Sequence, residues 1–177
     1  MTSIFAAELL QSRPREDKLP VPATAEYYSD PYSAIRRKAH LQFPVVVFSP
    51  TLGTTPLFYN AIAQAVASAG YIVVSIEHPY DAEFLEFPDR SNVTAANITD
   101  AQVPLGVNNR ARDVSFVLDQ LSTKDGVAAL LPGTGAPGLK ARRVAIYGHS
   151  VGGAAAAEAM RLDCRVVAGA NLDGSMF

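Results

Sequence analysis

The chain has 177 residues, 49% of them apolar and 18% charged, with a formal net charge of −2. That length and apolar content fit one domain with a core of useful size. Its basic runs, Arg36-Arg37-Lys38 and Arg142-Arg143, are short, so nucleic acid has no electrostatic footprint to meet. Cys164 is the only cysteine, which excludes an internal disulfide and any cysteine-based metal site.

No apolar run reaches the roughly 18 residues of a membrane span. Met1 to Leu10 leans apolar but lacks a basic leader and contains Glu8, a poor match to a signal peptide. Asn92-Val93-Thr94 and Asn97-Ile98-Thr99 match the N-glycosylation acceptor pattern in a polar stretch expected as surface loop. These sequons at Asn92 and Asn97 point weakly to secretion and leave the compartment open, as the oligomeric state is.

Residues 1–42, with Pro14, Pro20, Pro22 and Pro31 and no sustained period, read as an irregular covering segment. Residues 43–177 read as the core of the domain. Phe43 to Ser49 is a continuous β-branched and aromatic run, expected as a strand buried on both faces. Pro50-Thr51-Leu52-Gly53 reads as a turn, and Leu57 to Ala69 has apolar residues at helical spacing, closed by Gly70. Tyr71 to Ile76 is a second buried strand. Residues 79–105 carry Pro79, Pro88, Pro104 and scattered acids, and read as an irregular excursion. Val107 to Leu121 returns to helical period. Gly126 to Lys140 is expected as loop, with room for a helical turn at Val127 to Leu131.

Val144-Ala145-Ile146-Tyr147-Gly148-His149-Ser150-Val151-Gly152-Gly153 is the most informative stretch. A short apolar strand feeds a Gly-x-Ser-x-Gly turn, and an alanine-rich helix follows at once. A serine on such a strand-to-helix turn is an exposed nucleophile, with Gly148 and Gly152 leaving room for crowded backbone. Arg165 to Leu172 gives a fourth strand. Strands alternating with helices imply an α/β fold with a mostly parallel sheet and flanking helices. Ligand sites in such sheets lie beyond the C-terminal ends of the strands. Leu52, His78, Ser150 and Asp173 each follow a strand and are expected on that rim.

Serine hydrolysis needs a nucleophile, a histidine base, an acid that orients it, and donors for the oxyanion. Ser150 fits the first role. The N–H of Val151 is one oxyanion donor by elbow geometry, and the Leu52 N–H is the candidate for the second. The alternative for Leu52 is a plain tight turn. Asp173 fits the acid, or is a turn residue at a strand exit. His40 precedes the first buried strand and belongs to the wrong rim. His149 sits inside the elbow and cannot turn back to Ser150. His78 follows the neighbouring strand and reads as structural or, with Gly53, as lining the pocket; as a base it is a minor alternative. In this architecture the chain order is serine, acid, histidine. The base is therefore expected after residue 177 and is not present in this chain.

Phe48-Ser49-Pro50-Thr51-Leu52-Gly53, Ala67-Ser68-Ala69-Gly70-Tyr71-Ile72-Val73 and Ile76-Glu77-His78 carry a resemblance. So do the helix with Arg110, Asp113 and Leu118, the elbow Gly148 to Ala154, and Leu172-Asp173 before Met176-Phe177. Across Phe43 to Phe177 the chain resembles the platelet-activating-factor acetylhydrolase family of α/β-hydrolases, the group VII type of phospholipase A2 and its microbial relatives. The resemblance implies an α/β-hydrolase fold lacking its last strands, with Ser150 as nucleophile, Asp173 as triad acid, and Leu52 and Val151 as oxyanion donors. It also implies an ester or phospholipid substrate, peripheral lipid contact, and no metal or other cofactor. Pro50-Thr51 departs from the pair usual before the family's Leu-Gly. The segment bearing the family's histidine is absent, and Met1 to Phe5 resembles an internal strand, so a fragment is expected.

The leading expectation is a serine esterase of the lipase type, working through an acyl-enzyme on Ser150, with this chain alone expected to be nearly inactive for want of the histidine. A second is a non-catalytic remnant that binds lipid or a partner, with a self-associating edge after Arg165 to Leu172. A third, acyl transfer or polyester hydrolysis at the same site, is not separable by sequence.

Overall fold

A computed structural model describes residues 8–11, 43–87, 89–130 and 138–176. Its main sheet holds five strands in the order β1 (Glu8–Gln11), β3 (Ile72–Ser75), β2 (Val45–Ser49), β6 (Val144–His149) and β7 (Val166–Leu172). The last four are mutually parallel, and β1 runs antiparallel to β3. Between these strands lie α1 (Asn60–Ser68), α2 (Val103–Leu121), α3 (Lys124–Leu130) and α4 (Val151–Leu162).

The apolar run of β2 has no polar alternation because both its faces are covered. Val45 and Val47 join Ile72, Val74, Val114, Leu118 and Ile146 in the core beneath α2 and α4. Val46 and Phe48 point the other way, to Ala63, Ala67, Val73 and Tyr147 beneath α1. Each fully buried valine contributes about 1.5–3 kcal/mol relative to exposure.

Helix α2 buries Val107, Ala111, Val114, Leu118 and Leu121 at intervals of three and four, as its sequence predicts. It starts earlier than the apolar period, because Pro104 suits the first turn, where a backbone N–H has no partner. It ends where the Ser122 Oγ donates to the Leu118 carbonyl at 2.7 Å. Helix α4 buries Gly152, Gly153, Ala154, Ala155, Ala156 and Ala159, so its small face lies close against the sheet.

Four stretches differ from their sequence reading, one being Lys124–Leu130, which is helix α3 where loop with a single later turn was expected from Gly126. Glu8–Gln11, inside the expected covering segment, is strand β1, and the rest of residues 1–42 lies outside the described residues. The helix expected from Leu57 begins as a 3-10 turn over Pro56–Tyr59, with α1 following. The expected irregular excursion contains a hairpin, β4 (Phe84–Glu86) with β5 (Asn92–Thr94). Its turn is built by Asp89, whose carboxylate accepts from the Ser91 N–H at 2.9 Å and Oγ at 2.6 Å. Three-residue strands are too short to show a period. The sequon residues Asn92 and Asn97 are both exposed.

Because β2, β3, β6 and β7 are parallel, their C-terminal ends form one rim. Pro50–Gly53, Glu77-His78, Ser150 and Asp173 all leave the sheet there.

Candidate active site

Ser150 links β6 to α4 with φ 54° and ψ −124°. A residue with a Cβ pays about 1–3 kcal/mol for such a conformation, which persists only where its surroundings impose it. Here the Ser150 N–H donates to the Leu172 carbonyl at 2.9 Å, and the Ser150 carbonyl accepts from Gly153 N–H at 2.8 Å and Ala154 N–H at 3.2 Å. The two flanking glycines permit the crossing. A Cβ at Gly148 would overlap the Gly152 carbonyl, and one at Gly152 would overlap the carbonyls of Ser49 and Pro50. Val151 is the first residue of α4, where N–H groups have no intrahelical partner and the helix dipole favours negative charge.

The loop carrying Leu52 is pinned at both ends. At one end the buried Pro50 carbonyl accepts from Arg110 Nη1 at 2.5 Å. At the other, Gly53, with φ 79°, donates its N–H to the Asp81 carbonyl at 2.9 Å. Arg110 Nε also binds the Asp81 carboxylate at 2.6 Å, so one guanidinium serves both ends. Thr54 Oγ1 closes the turn by donating to the Thr51 carbonyl at 3.1 Å. Among the described residues, no backbone carbonyl accepts from the Leu52 N–H. Glu77 hydrogen-bonds the Thr55 side chain, and burial holds its carboxyl above the usual range.

Asp173 follows β7 with φ 58° and is exposed. Its turn is closed by Asn171, which accepts from the Gly174 N–H at 2.7 Å and donates to the Gly174 carbonyl at 2.8 Å. His149 and Leu172 are register partners, so Ser150 and Asp173 leave adjacent parallel strands at the same level. Ser150, Val151, the Leu52 loop and the Asp173 turn are thus gathered at one place.

His78 and His149, the two described histidines, have partners other than Ser150. His78 Nδ1 lies 2.8 Å from Asp113 Oδ2, and its Nε2 lies 3.0 Å from Ser49 Oγ. A carboxylate only accepts, so Nδ1 carries the proton and Nε2 accepts from the Ser49 hydroxyl. The order of bonds is that of a catalytic triad, but on Ser49, which is fully buried. His78 is 3% exposed, and both its ring nitrogens are engaged, by Ser49 and by Asp113. Burial pushes its pKa below the usual histidine value, against the pull of Asp113. Gly53, by contrast, is exposed on its loop. His149 Nδ1 pairs with Tyr59 Oη at 2.8 Å, and His40 lies outside the described residues.

Arg110, Asp113, Asp81 and Tyr59 have no role in the sequence reading of the site. One signal for Arg110 is visible there: it sits three residues after Val107 and four before Val114, on the buried stripe of α2. Among the described residues, no group of three or more His, Cys, Asp or Glu side chains could hold a metal ion. No helix is long and apolar enough to cross a membrane, among the same residues.

Residues 24–112 match the family model described as platelet-activating factor acetylhydrolase, isoform II. A protein of Arthroderma benhamiae named "Probable 1-alkyl-2-acetylglycerophosphocholine esterase" is 35% identical over 76% of this chain and 32% of its own length. The platelet-activating factor acetylhydrolase of Cavia porcellus is 29% identical over 77% of this chain and 36% of its own. The chain therefore spans about a third of the length of these relatives. A ferulic acid esterase from Streptomyces cinnamoneus superposes with a TM-score of 0.65 at 37% identity, over 77% of this chain and 38% of that one. The mainly parallel sheet with its flanking helices is of the α/β-hydrolase type shared with such esterases. The chain belongs to the platelet-activating factor acetylhydrolase, isoform II, family.

Proposed function

We propose that this chain carries the nucleophile and oxyanion side of a serine ester hydrolase. The observation that carries the reading is the left-handed backbone of Ser150 between β6 and α4, in contact with the Leu52 loop through Gly152. Ser150 Oγ gives its proton to a histidine and bonds to the ester carbonyl carbon. The carbonyl oxygen becomes an oxyanion held by the N–H groups of Leu52 and Val151. The C–O bond to the leaving alcohol then breaks, and the histidine returns the proton to that alcohol. Water, deprotonated by the same base, releases the acid and restores Ser150. Asp173 would orient the base.

His78 and His149 are engaged with Ser49, Asp113 and Tyr59, so the base in this reading comes from outside the described residues. The names of the relatives favour an acetyl ester on an alkyl glycerophosphocholine, and peripheral contact with lipid is our extension of that substrate.

A second reading, a non-catalytic fragment that binds lipid or a partner, draws on the commitment of His78 and His149 to other bonds. A fluorophosphonate probe separates the two. Under the hydrolase reading the protein extended through the segment that supplies the histidine forms a single adduct on Ser150, located by peptide mass spectrometry, Ser150→Ala abolishes it, and residues 1–177 alone label far more slowly. A folded extended protein that takes no label, or takes it on another serine, favours the second reading.

A further inference from the structure

Two side chains one helical turn apart on α2 reach the loop that carries Leu52 by separate routes. Arg110, 2% exposed, donates to the Pro50 carbonyl at 2.5 Å and to the Asp81 carboxylate at 2.6 Å. The Asp81 carbonyl in turn receives the Gly53 N–H. Asp113 accepts from His78, whose other ring nitrogen takes the hydroxyl of Ser49, the residue before Pro50. The Ser49 and Pro50 carbonyls are the atoms that abut Gly152 in the elbow. We propose that Arg110 and Asp113 are positioning residues that hold the Pro50–Gly53 loop, and with it the Leu52 N–H, at the place where the ester oxyanion forms.

The proposal rests on reading Leu52 as an oxyanion donor. Its physical basis is that stability alone does not call for these groups. A buried ion pair is commonly matched or bettered by apolar side chains of similar volume, so a guanidinium here is not explained by core packing. What it supplies is a planar fork that fixes two acceptors at once, which a methionine cannot do and a lysine does only in part. The His78 strut adds direction in the same way. With its Nδ1–H committed to Asp113, its Nε2 can only accept, and the Ser49 hydroxyl is locked in one rotamer.

The test uses hydrogen exchange at the Gly53 amide together with hydrolysis of p-nitrophenyl acetate, both measured on the protein extended through the segment that supplies the histidine base. In Arg110→Met we expect Gly53 exchange to rise about tenfold or more, while the Ile146 amide of β6 keeps its protection. We expect kcat to fall about 100-fold with KM unchanged within about threefold, since the loop positions the transition state and leaves binding alone. Asp113→Ala should show both effects, and Asp113→Asn, which retains an acceptor for His78, should restore most of the rate. If Arg110→Met does not fold, Arg110→Lys decides by the same two readouts, with intermediate changes expected. Unchanged Gly53 exchange in a folded variant overturns the proposal. Raised exchange with an unchanged kcat overturns it too, by showing that the order of the loop does not matter to the reaction. A parent protein that neither hydrolyses the ester nor labels at Ser150 removes the hydrolase reading, while Gly53 exchange still decides whether Arg110 and Asp113 hold the loop.

Discussion

The amide of Ser150 donates to the carbonyl of Leu172 at 2.9 Å, which ties the elbow to the exit of β7 just before Asp173. The bond continues the β6–β7 register by one step and holds Ser150 in its left-handed conformation. Strain kept at a single serine has a measurable signature. Ser150→Gly relieves the clash of the Cβ, whereas Ser150→Ala keeps it. The glycine variant should therefore be about 1 kcal/mol more stable than the alanine variant, even though glycine costs more chain entropy. In a domain of this size that difference is about 2–4 °C in Tm, readable by calorimetry, with both variants unlabelled by fluorophosphonate. Equal melting temperatures would show that Ser150 is not strained.

Gly152→Ala sets two effects of known sign against each other. Alanine is favoured over glycine by about 1 kcal/mol in a helix interior, and by less at Gly152, the second residue of α4. At this position the new methyl overlaps the carbonyls of Ser49 and Pro50, which are backbone atoms and cannot swing away. Forcing an extra carbon into a close contact costs about 1–3 kcal/mol. The contact should win, giving net destabilisation in urea titration and a displaced Leu52 loop. A stabilised variant would mean that α4 and the loop are not in contact.

How much of this was legible in the sequence depends on how local each signal is. The valine run of β2 and the Gly148–Gly153 turn with its alanine-rich helix are short-range patterns, and both are found where they were expected. The stripe of α2 reads as helix but hides its function. Arg110 acts on Pro50, sixty residues away in sequence, and Asp113 acts on His78, thirty-five away. No local period encodes such pairs. A charged residue on an otherwise apolar stripe is the one clue, and it shows that a partner must exist without saying which. The Ser49–His78–Asp113 order of bonds was likewise invisible, because the sequence placed His78 by its strand and not by its partners.

Arg165 clamps the far end of the sheet, away from the candidate site. Its guanidinium binds Asp163 at 2.7–3.2 Å, Asp119 at 2.7 Å and the Ser115 carbonyl at 3.2 Å, which joins the start of β7 to α2. The bonds from Arg165 hold Asp163 down at about 2, against an ordinary value of 3.8. A carboxyl lowered on folding stabilises the fold above its unfolded pKa, and that stability is lost as pH falls through the folded value. Relative to Asp163→Asn, the wild type should be more stable by about 1 kcal/mol at pH 6, after allowance for solvent screening. The advantage should shrink between pH 4 and pH 2. Denaturant titrations at pH 6, 4 and 2 measure it, and a constant difference would assign the effect to packing.

His78 gives the opposite end of the pH profile a distinct shape. It is buried with Asp113, Arg110 and Asp81 about it, and burial is the largest influence lowering its pKa. The folded protein therefore keeps it neutral where the unfolded chain, with a pKa of about 6.5, takes up a proton. The sign follows directly: stability is full above about pH 6.5 and declines as pH falls below it, because the unfolded state binds the extra proton. The slope approaches about 1.4 kcal/mol per pH unit for one such group. His78→Gln removes the titrating ring and loosens the tie to Ser49. It should be less stable than wild type at pH 8 and lose less stability between pH 6.5 and pH 5. His40 and His149 remain in both proteins, so the difference between the two profiles isolates His78. Parallel profiles across that interval would show that the ring does not stay neutral in the fold, and that the polarity of the hydrogen bonds from Ser49 through His78 to Asp113 is not the one inferred.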